Sequence, residues 1–244
     1  MIVKTKADWE KDRPRLLQEL REFARVMKRR PFQNEQGLRG VSAFALYWFI
    51  KQVKPTIVFE VGVWKGFSTW LIEQAAPDAK VVCFDPLFLL DHLLQPDKLG
   101  PTYRSARAAY SHQDFSCADI ERLIGGSERP LVFFDDHQNK FPRLLQARDF
   151  GIADIIFDDN KPAVGTHRSL EDDRSNSESA AKLEREVQSY EIFPALWDID
   201  EVLFDTIRIK EDGMGFPIDL ELEEIYNERK WHSYMTYVRL SLQN

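Results

Sequence analysis

The chain opens in helical rhythm. From Asp8 to Arg30, apolar residues return at Leu16, Leu17, Leu20, Phe23, Val26 and Met27, the spacing of an amphipathic helix. Pro31 and the Gly37 to Gly40 stretch break that rhythm. A nearly continuous apolar run, Val41 to Lys54, then predicts a buried helix that Pro55 stops. From Thr56 the pattern alternates. Strands are predicted at Thr56 to Val61, Lys80 to Asp85, His112 to Phe115, Leu131 to Asp135 and Ala153 to Asp158. Between them fall helices at Phe67 to Gln74, Cys117 to Leu123 and Lys140 to Arg148. Such alternation predicts an α/β, Rossmann-like, doubly wound and mostly parallel sheet with helices on both faces. Sheets of this kind bind ligands beyond the carboxyl ends of their strands. Tyr234 to Leu242 alternates cleanly and predicts a closing strand, read as antiparallel.

Two regions are set apart. Residues 1–54 read as N-terminal helices packing on the core, and 55–244 as the α/β domain. Inside the latter, 161–189 is polar and weakly periodic, turning helical again from Ser179 to Tyr190. An insertion that follows a strand end reads either as a lid over a site or as a surface excursion.

Composition narrows the function. The 244 residues suffice for one large domain with a buried core. Forty acidic against 33 basic residues give a net charge of −7, which argues against a general nucleic-acid binder. The basic run Lys28-Arg29-Arg30 reads as a solvated helix end. Two cysteines, Cys83 and Cys117, make no disulfide framework, so a cytoplasmic setting is expected. No apolar signal-type stretch follows Met1, and Val41 to Val53 is too short to span a bilayer.

The densest chemical signal is the stretch Thr56 to Thr69, in which an apolar strand ends in Glu60, and Gly62 and Gly66 shape a turn into a helix. A dinucleotide fingerprint would need glycines at positions 64 and 67, which hold Trp64 and Phe67. Glu60 would also repel phosphate and suit a ligand carrying a cation or an amine. The form Glu60-x-Gly62-x-x-x-Gly66 followed by Ser68 resembles the first motif of class I S-adenosylmethionine (SAM)-dependent methyltransferases. It is most similar to the catechol O-methyltransferase and macrocin (sugar) O-methyltransferase branch. The resemblance implies a SAM site formed by Glu60, Gly62, Trp64, Gly66 and Ser68. Asp85 ends the next strand, 25 positions after Glu60, where an acidic residue commonly accepts from both ribose hydroxyls. By the same resemblance, Asp114 would meet the adenine amine and Phe115 would pack on its ring.

Two further strands end in paired aspartates, Asp135-Asp136-His137 and Asp158-Asp159-Asn160. If the strands are neighbours, four carboxylates converge and repel, a conflict that a hard divalent cation such as magnesium would remove. Catechol O-methyltransferases carry Asp-His and Asp-Asn at these ends, which match Asp136-His137 and Asp159-Asn160. The macrocin branch carries an Asp-Asp pair, matching Asp158-Asp159. Asp136 and Asp159 are common to both analogies, while Asp158 and Asn160 compete as the third ligand. The catechol family's lysine, three positions after its metal aspartate, falls here on Asn139, a departure. Candidate bases are His137, which titrates near neutral pH, then Lys140, then His167. His167 and Arg168 of the insertion are candidate substrate contacts.

These residues point to a SAM-dependent, Mg-assisted O-methyltransferase acting on a hydroxyl of a small polyol, a sugar or glycan by the macrocin analogy. Its partners would be a small-molecule or glycan acceptor and, where it self-associates, a second copy of itself. A metal-independent methyltransferase with His137 as base and a non-catalytic SAM-fold module are the alternatives.

Overall fold

The computed structural model describes residues 1–34, 37–86, 102–126, 129–162, 167–194 and 233–242. Eight strands form one sheet: β1 (Ile2–Val3), β2 (Ile57–Val61), β3 (Lys80–Phe84), β4 (Ala109–Ser111), β5 (Pro130–Phe134), β6 (Asp154–Phe157), β7 (Val187–Ile192) and β8 (Thr236–Leu240). Their order is β1-β7-β8-β6-β5-β2-β3-β4. All pairings are parallel except those of β8, which runs antiparallel to both β6 and β7. The expected doubly wound sheet with an antiparallel closing strand is what the chain forms.

Alternation along the strands builds two cores. Val58, Leu131, Phe133 and Ile156 face one cluster, and Phe59, Val132, Phe134, Ile155 and Phe157 face the other. The first core is covered by helices α1 (Lys6–Met27), α2 (Gly40–Val53) and α3 (Phe67–Ala75). Helix α1 starts at a capping box between Thr5 and Asp8 and buries Trp9, Leu16, Leu20, Phe23 and Val26. Helix α2 is buried from Val41 through Ile50, so residues 1–54 supply core and an edge strand as well as cover. The second core is covered by α4 (Ile120–Ile124), α5 (Lys140–Asp149), α6 (Leu170–Arg174) and α7 (Ser177–Glu186).

Three elements differ from the sequence reading. The strand expected at His112 to Phe115 lies at Ala109–Ser111, and Phe115–Cys117 forms a 3-10 turn capped by Asp114. The short helix begins at Ile120, where Asp119 caps it. The helix expected to reach Tyr190 ends at Glu186. Val187 and Tyr190 are then drawn into the core as β7 pairs with β8. The described part of 161–189 is therefore built into the fold, with Leu170, Leu183 and Val187 buried. Gly165, Thr166, Trp197 and Trp231 lie outside the described residues.

Register positions the site. Val61 pairs with both Phe84 and Phe134, and Phe134 with Phe157. The next residue on each strand, Gly62, Asp85, Asp135 and Asp158, therefore stands in one row along the carboxyl edge. The sheet reverses its winding between β2 and β5, the switch point at which such folds open a crevice.

Candidate functional site

A cavity of about 700 Å³ lies along that row. The loop after β2 contributes Gly62, Val63 and Trp64, the first turn of α3 contributes Ser68, and Asp85 follows β3. Asp114 and Phe115 follow β4, Asp135, Asp136 and His137 follow β5, and Asp158 and Asp159 follow β6. Ser233, just before β8, closes one side.

The loop is set by two left-handed glycines, Gly62 at φ +90 and Gly66 at φ +83. A side chain at Gly62 would run into the Asp135 carbonyl, and one at Gly66 into the Tyr103 carbonyl. Asp85 holds the loop from the end of the neighbouring strand β3: its Oδ2 accepts from the backbone N–H of Val63 at 2.9 Å and of Trp64 at 3.1 Å. Trp64 is 44% exposed and stands on the cavity wall. Gly66 shapes the loop from behind that wall.

Glu60, expected at the SAM site, lies beneath the loop. It is fully buried and does not line the cavity. It accepts from Thr69 Oγ1 at 2.6 Å and Cys83 Sγ at 3.2 Å, and burial pushes its carboxyl up to about 7. It ties β2 to β3 and α3 under the loop.

Asp114 and Asp136 share one guanidinium. Arg143 donates from Nη2 to Asp114 Oδ2 at 2.6 Å and from Nε to Asp136 Oδ2 at 2.7 Å. Its bond holds the Asp114 carboxyl well below the usual carboxylate range. Asp136 was expected to bind metal, but its side chain turns towards α5 and this arginine. Asn160, one of the two candidates for third ligand, is fully buried and spent on structure. It donates to Tyr190 Oη at 2.6 Å and Thr236 Oγ1 at 2.9 Å, and accepts from the Leu170 N–H at 2.7 Å.

The residues that do converge are Asp135, His137 and Asp159. One donor atom from each lies within 4.8 Å of the others. His137 Nδ1 is 3.2 Å from Asp159 Oδ2. Asp158 is buried beside them and accepts from Ser233 Oγ at 2.5 Å. The electrostatics record their crowding. Burial, then Asp158 and Asp159, raise the Asp135 carboxyl well above its ordinary value. Burial and Asp159 push Asp158 up to about 6. Burial alone would raise Asp159 as well, but the hydrogen bond from His137, together with the charges of His137, Lys140 and His167, outweighs burial and lowers it. The same bond raises His137. Lys140 is fully buried and its ammonium has no hydrogen-bond partner among the described residues. Its charge acts on Asp135, Asp158 and Asp159 and favours their ionised forms. Three carboxylates against one ammonium leave a formal deficit that a divalent cation would close, so the donor set fits such an ion.

Neither proposed substrate residue lines the cavity. His167 Nε2 is 3.2 Å from the Asp159 carbonyl oxygen, and its ring is 5.8 Å from that of His137. Arg168 turns to Asp173 at 2.7 Å. Sequence reasoning missed Arg143 and Ser233, which come from a helix face and a loop with no motif of their own. Asp135 was visible in the Asp-Asp pair but was passed over for its neighbour.

No family model and no curated protein matches the chain. Among solved structures, it is similar to CmcI without ligand at 14% identity, covering 65% of this chain and 68% of that one with a TM-score of 0.44. It is similar to CmcI with Mg and SAM at 18% identity, over 65% and 68%, with a TM-score of 0.41. The methyltransferase PaMTH1 of Podospora anserina, bound to SAH, is 12% identical over 93% of this chain and 87% of its own, with a TM-score of 0.41.

Proposed function

We propose that this chain is a SAM-dependent O-methyltransferase whose acidic centre holds a divalent cation. One observation carries the reading: the glycine loop, braced by Asp85, and the Asp135–His137–Asp159 cluster face one cavity across the switch point of the sheet. Its volume suits a nucleoside-sized donor with a small acceptor beside it. Bound SAM would supply a sulfonium methyl open to in-line displacement by a hydroxyl oxygen, and the cation would lower that hydroxyl's pKa.

The protein's part is positioning and charge. The loop at Gly62 to Trp64 would seat the donor, with Asp85 fixing the loop, while the Phe115 ring expected to pack on adenine is fully buried among Phe59, Phe84 and Phe134. Asp135, His137 and Asp159 would hold the cation, and the charge of Lys140 would favour the ionised forms of the carboxylates. The O–CH3 bond would form as the S–CH3 bond breaks, leaving S-adenosylhomocysteine (SAH), and the proton of the acceptor hydroxyl would pass to solvent water in the open cavity. The acceptor class we propose is a small polyol, a sugar or glycan hydroxyl, supported by the likeness of Asp158-Asp159 to the sugar-modifying branch. Calorimetry with SAM and SAH, with and without a divalent cation, tests the core reading, which falls if neither nucleoside binds. Transfer of labelled methyl to sugars, with aryl diols in parallel, tests the acceptor.

One observation favours a second reading. The His137–Asp159 pair is also a base held by an orienting carboxylate, an arrangement that could take the acceptor proton without a metal. Transfer that survives chelation unchanged would select it.

A further inference from the structure

We infer that His137 Nδ1 is a direct ligand of the centre, making it a two-carboxylate, one-imidazole site for a first-row transition dication rather than magnesium. This rests on the metal-assisted reading above. The oxygen-only set expected from sequence is not assembled: Asp136 is held by Arg143, and every polar group of the Asn160 side chain is used by Tyr190, Thr236 and Leu170. What replaces it contains nitrogen. The 3.2 Å between His137 Nδ1 and Asp159 Oδ2 is close to the separation of adjacent ligand atoms around one ion with bonds of about 2.1 Å. Asp135 supplies the third donor within the same sphere. The half-exposed cluster opens on the cavity, leaving coordination positions for water or an acceptor oxygen.

Independent of the cluster's geometry is Lys140, whose fully buried ammonium is unpartnered among the described residues and acts on the same three carboxylates. It neutralises only one of them, so the balance that remains is that of a dication. Magnesium takes oxygen ligands and keeps its waters, whereas imidazole suits later divalent ions.

The test uses metal-free, full-length protein. Mg2+ and Co2+ are titrated by calorimetry, and Mn2+-loaded protein is examined by pulsed EPR for coupling to a 14N nucleus. His137→Asn is the variant of choice, because asparagine tolerates the left-handed backbone at this position and offers oxygen in place of nitrogen. Wild type should favour Co2+ over Mg2+ and show nitrogen coupling. The variant should lose the coupling and narrow the Co2+/Mg2+ preference by about 10–100-fold. SAH affinity is measured on the same samples. Mn2+ bound without nitrogen coupling, an unchanged preference in the variant, or SAH binding with no metal binding would each overturn the inference while leaving the methyltransferase reading in place. Failure to bind SAH would remove that reading itself.

Discussion

His137 and Asp159 meet side chain to side chain at 3.2 Å, and each holds a left-handed backbone, at φ +52 and +50. For non-glycine residues that conformation costs about 1–2 kcal/mol each. Strain of this kind persists where the surroundings over-determine it, and it gathers at working sites. Their titrations are linked. In metal-free protein the His137 imidazole should titrate above its ordinary 6.5, and Asp159→Asn should return it towards that value. The sign follows: the histidine's contribution to stability is full below 6.5 and is lost as pH rises through its folded value. The aspartate's is present above 3.8 and is lost as pH falls through its own lowered value. NMR titration of the imidazole protons checks this, and an unshifted His137 would contradict it.

Gly62→Ala should cost more than the usual glycine substitution. A Cβ there meets the Asp135 backbone, and the residue keeps φ +90. We expect a loss of about 2 kcal/mol or more, together with failure to bind SAH. Gly126→Ala is the comparison: its φ is also positive, at +85, but nothing lies near its added Cβ, so it should leave SAH binding unchanged. Chemical denaturation and calorimetry read both.

Asp85→Ala removes the acceptor for two loop N–H groups. The carboxylate is buried, so the loss should be about 2–3 kcal/mol, with weakened SAH binding. Urea unfolding measures the first effect. Wild-type stability in the variant would show that the loop holds itself.

Arg143→Met leaves two carboxylates without their shared partner. At neutral pH the cost should be about 3 kcal/mol, discounted for the half-exposed Asp114. The difference from wild type should shrink as pH falls below the ordinary aspartate range towards Asp114's lowered value, because protonation of Asp114 removes its need for a partner. Parallel denaturation curves at neutral and acid pH decide it.

Asn160→Ala should destabilise by about 2–3 kcal/mol, since Tyr190, Thr236 and the Leu170 N–H lose a buried partner. Its metal affinity should match wild type. Lost metal binding in a folded variant would restore Asn160 to the ligand set.

The strand ends were legible because alternation and register are local: Gly62, Asp85, Asp135 and Asp158 each follow an apolar run. What each carboxylate does with its reach was not. Asp135 and Asp136 are neighbours, and only the position of Arg143, seven residues on, sends one to a guanidinium and leaves the other in the cluster. Asn160 matched a ligand motif, but its fate depended on Tyr190 and Thr236, both distant in sequence. Glu60 was placed correctly on its strand, yet strand period alone could not say that Thr69 and Cys83 would receive it. The start of β7 was hidden because its pairing partner, β8, lies far along the chain.

That partner also sets the order in which the molecule can be finished. Strand β8 sits between β6 and β7, so while a ribosome has yet to release residues 236–240, β6 is a bare edge and β7 with β1 has no sheet to join. The nascent chain can wind β2 through β6 as it emerges, but it must hold an exposed, apolar strand edge until β8 arrives. Ser233, which reaches Asp158, comes with that same strand. Newborn chains would therefore be most prone to aggregation just before they are able to acquire a complete site.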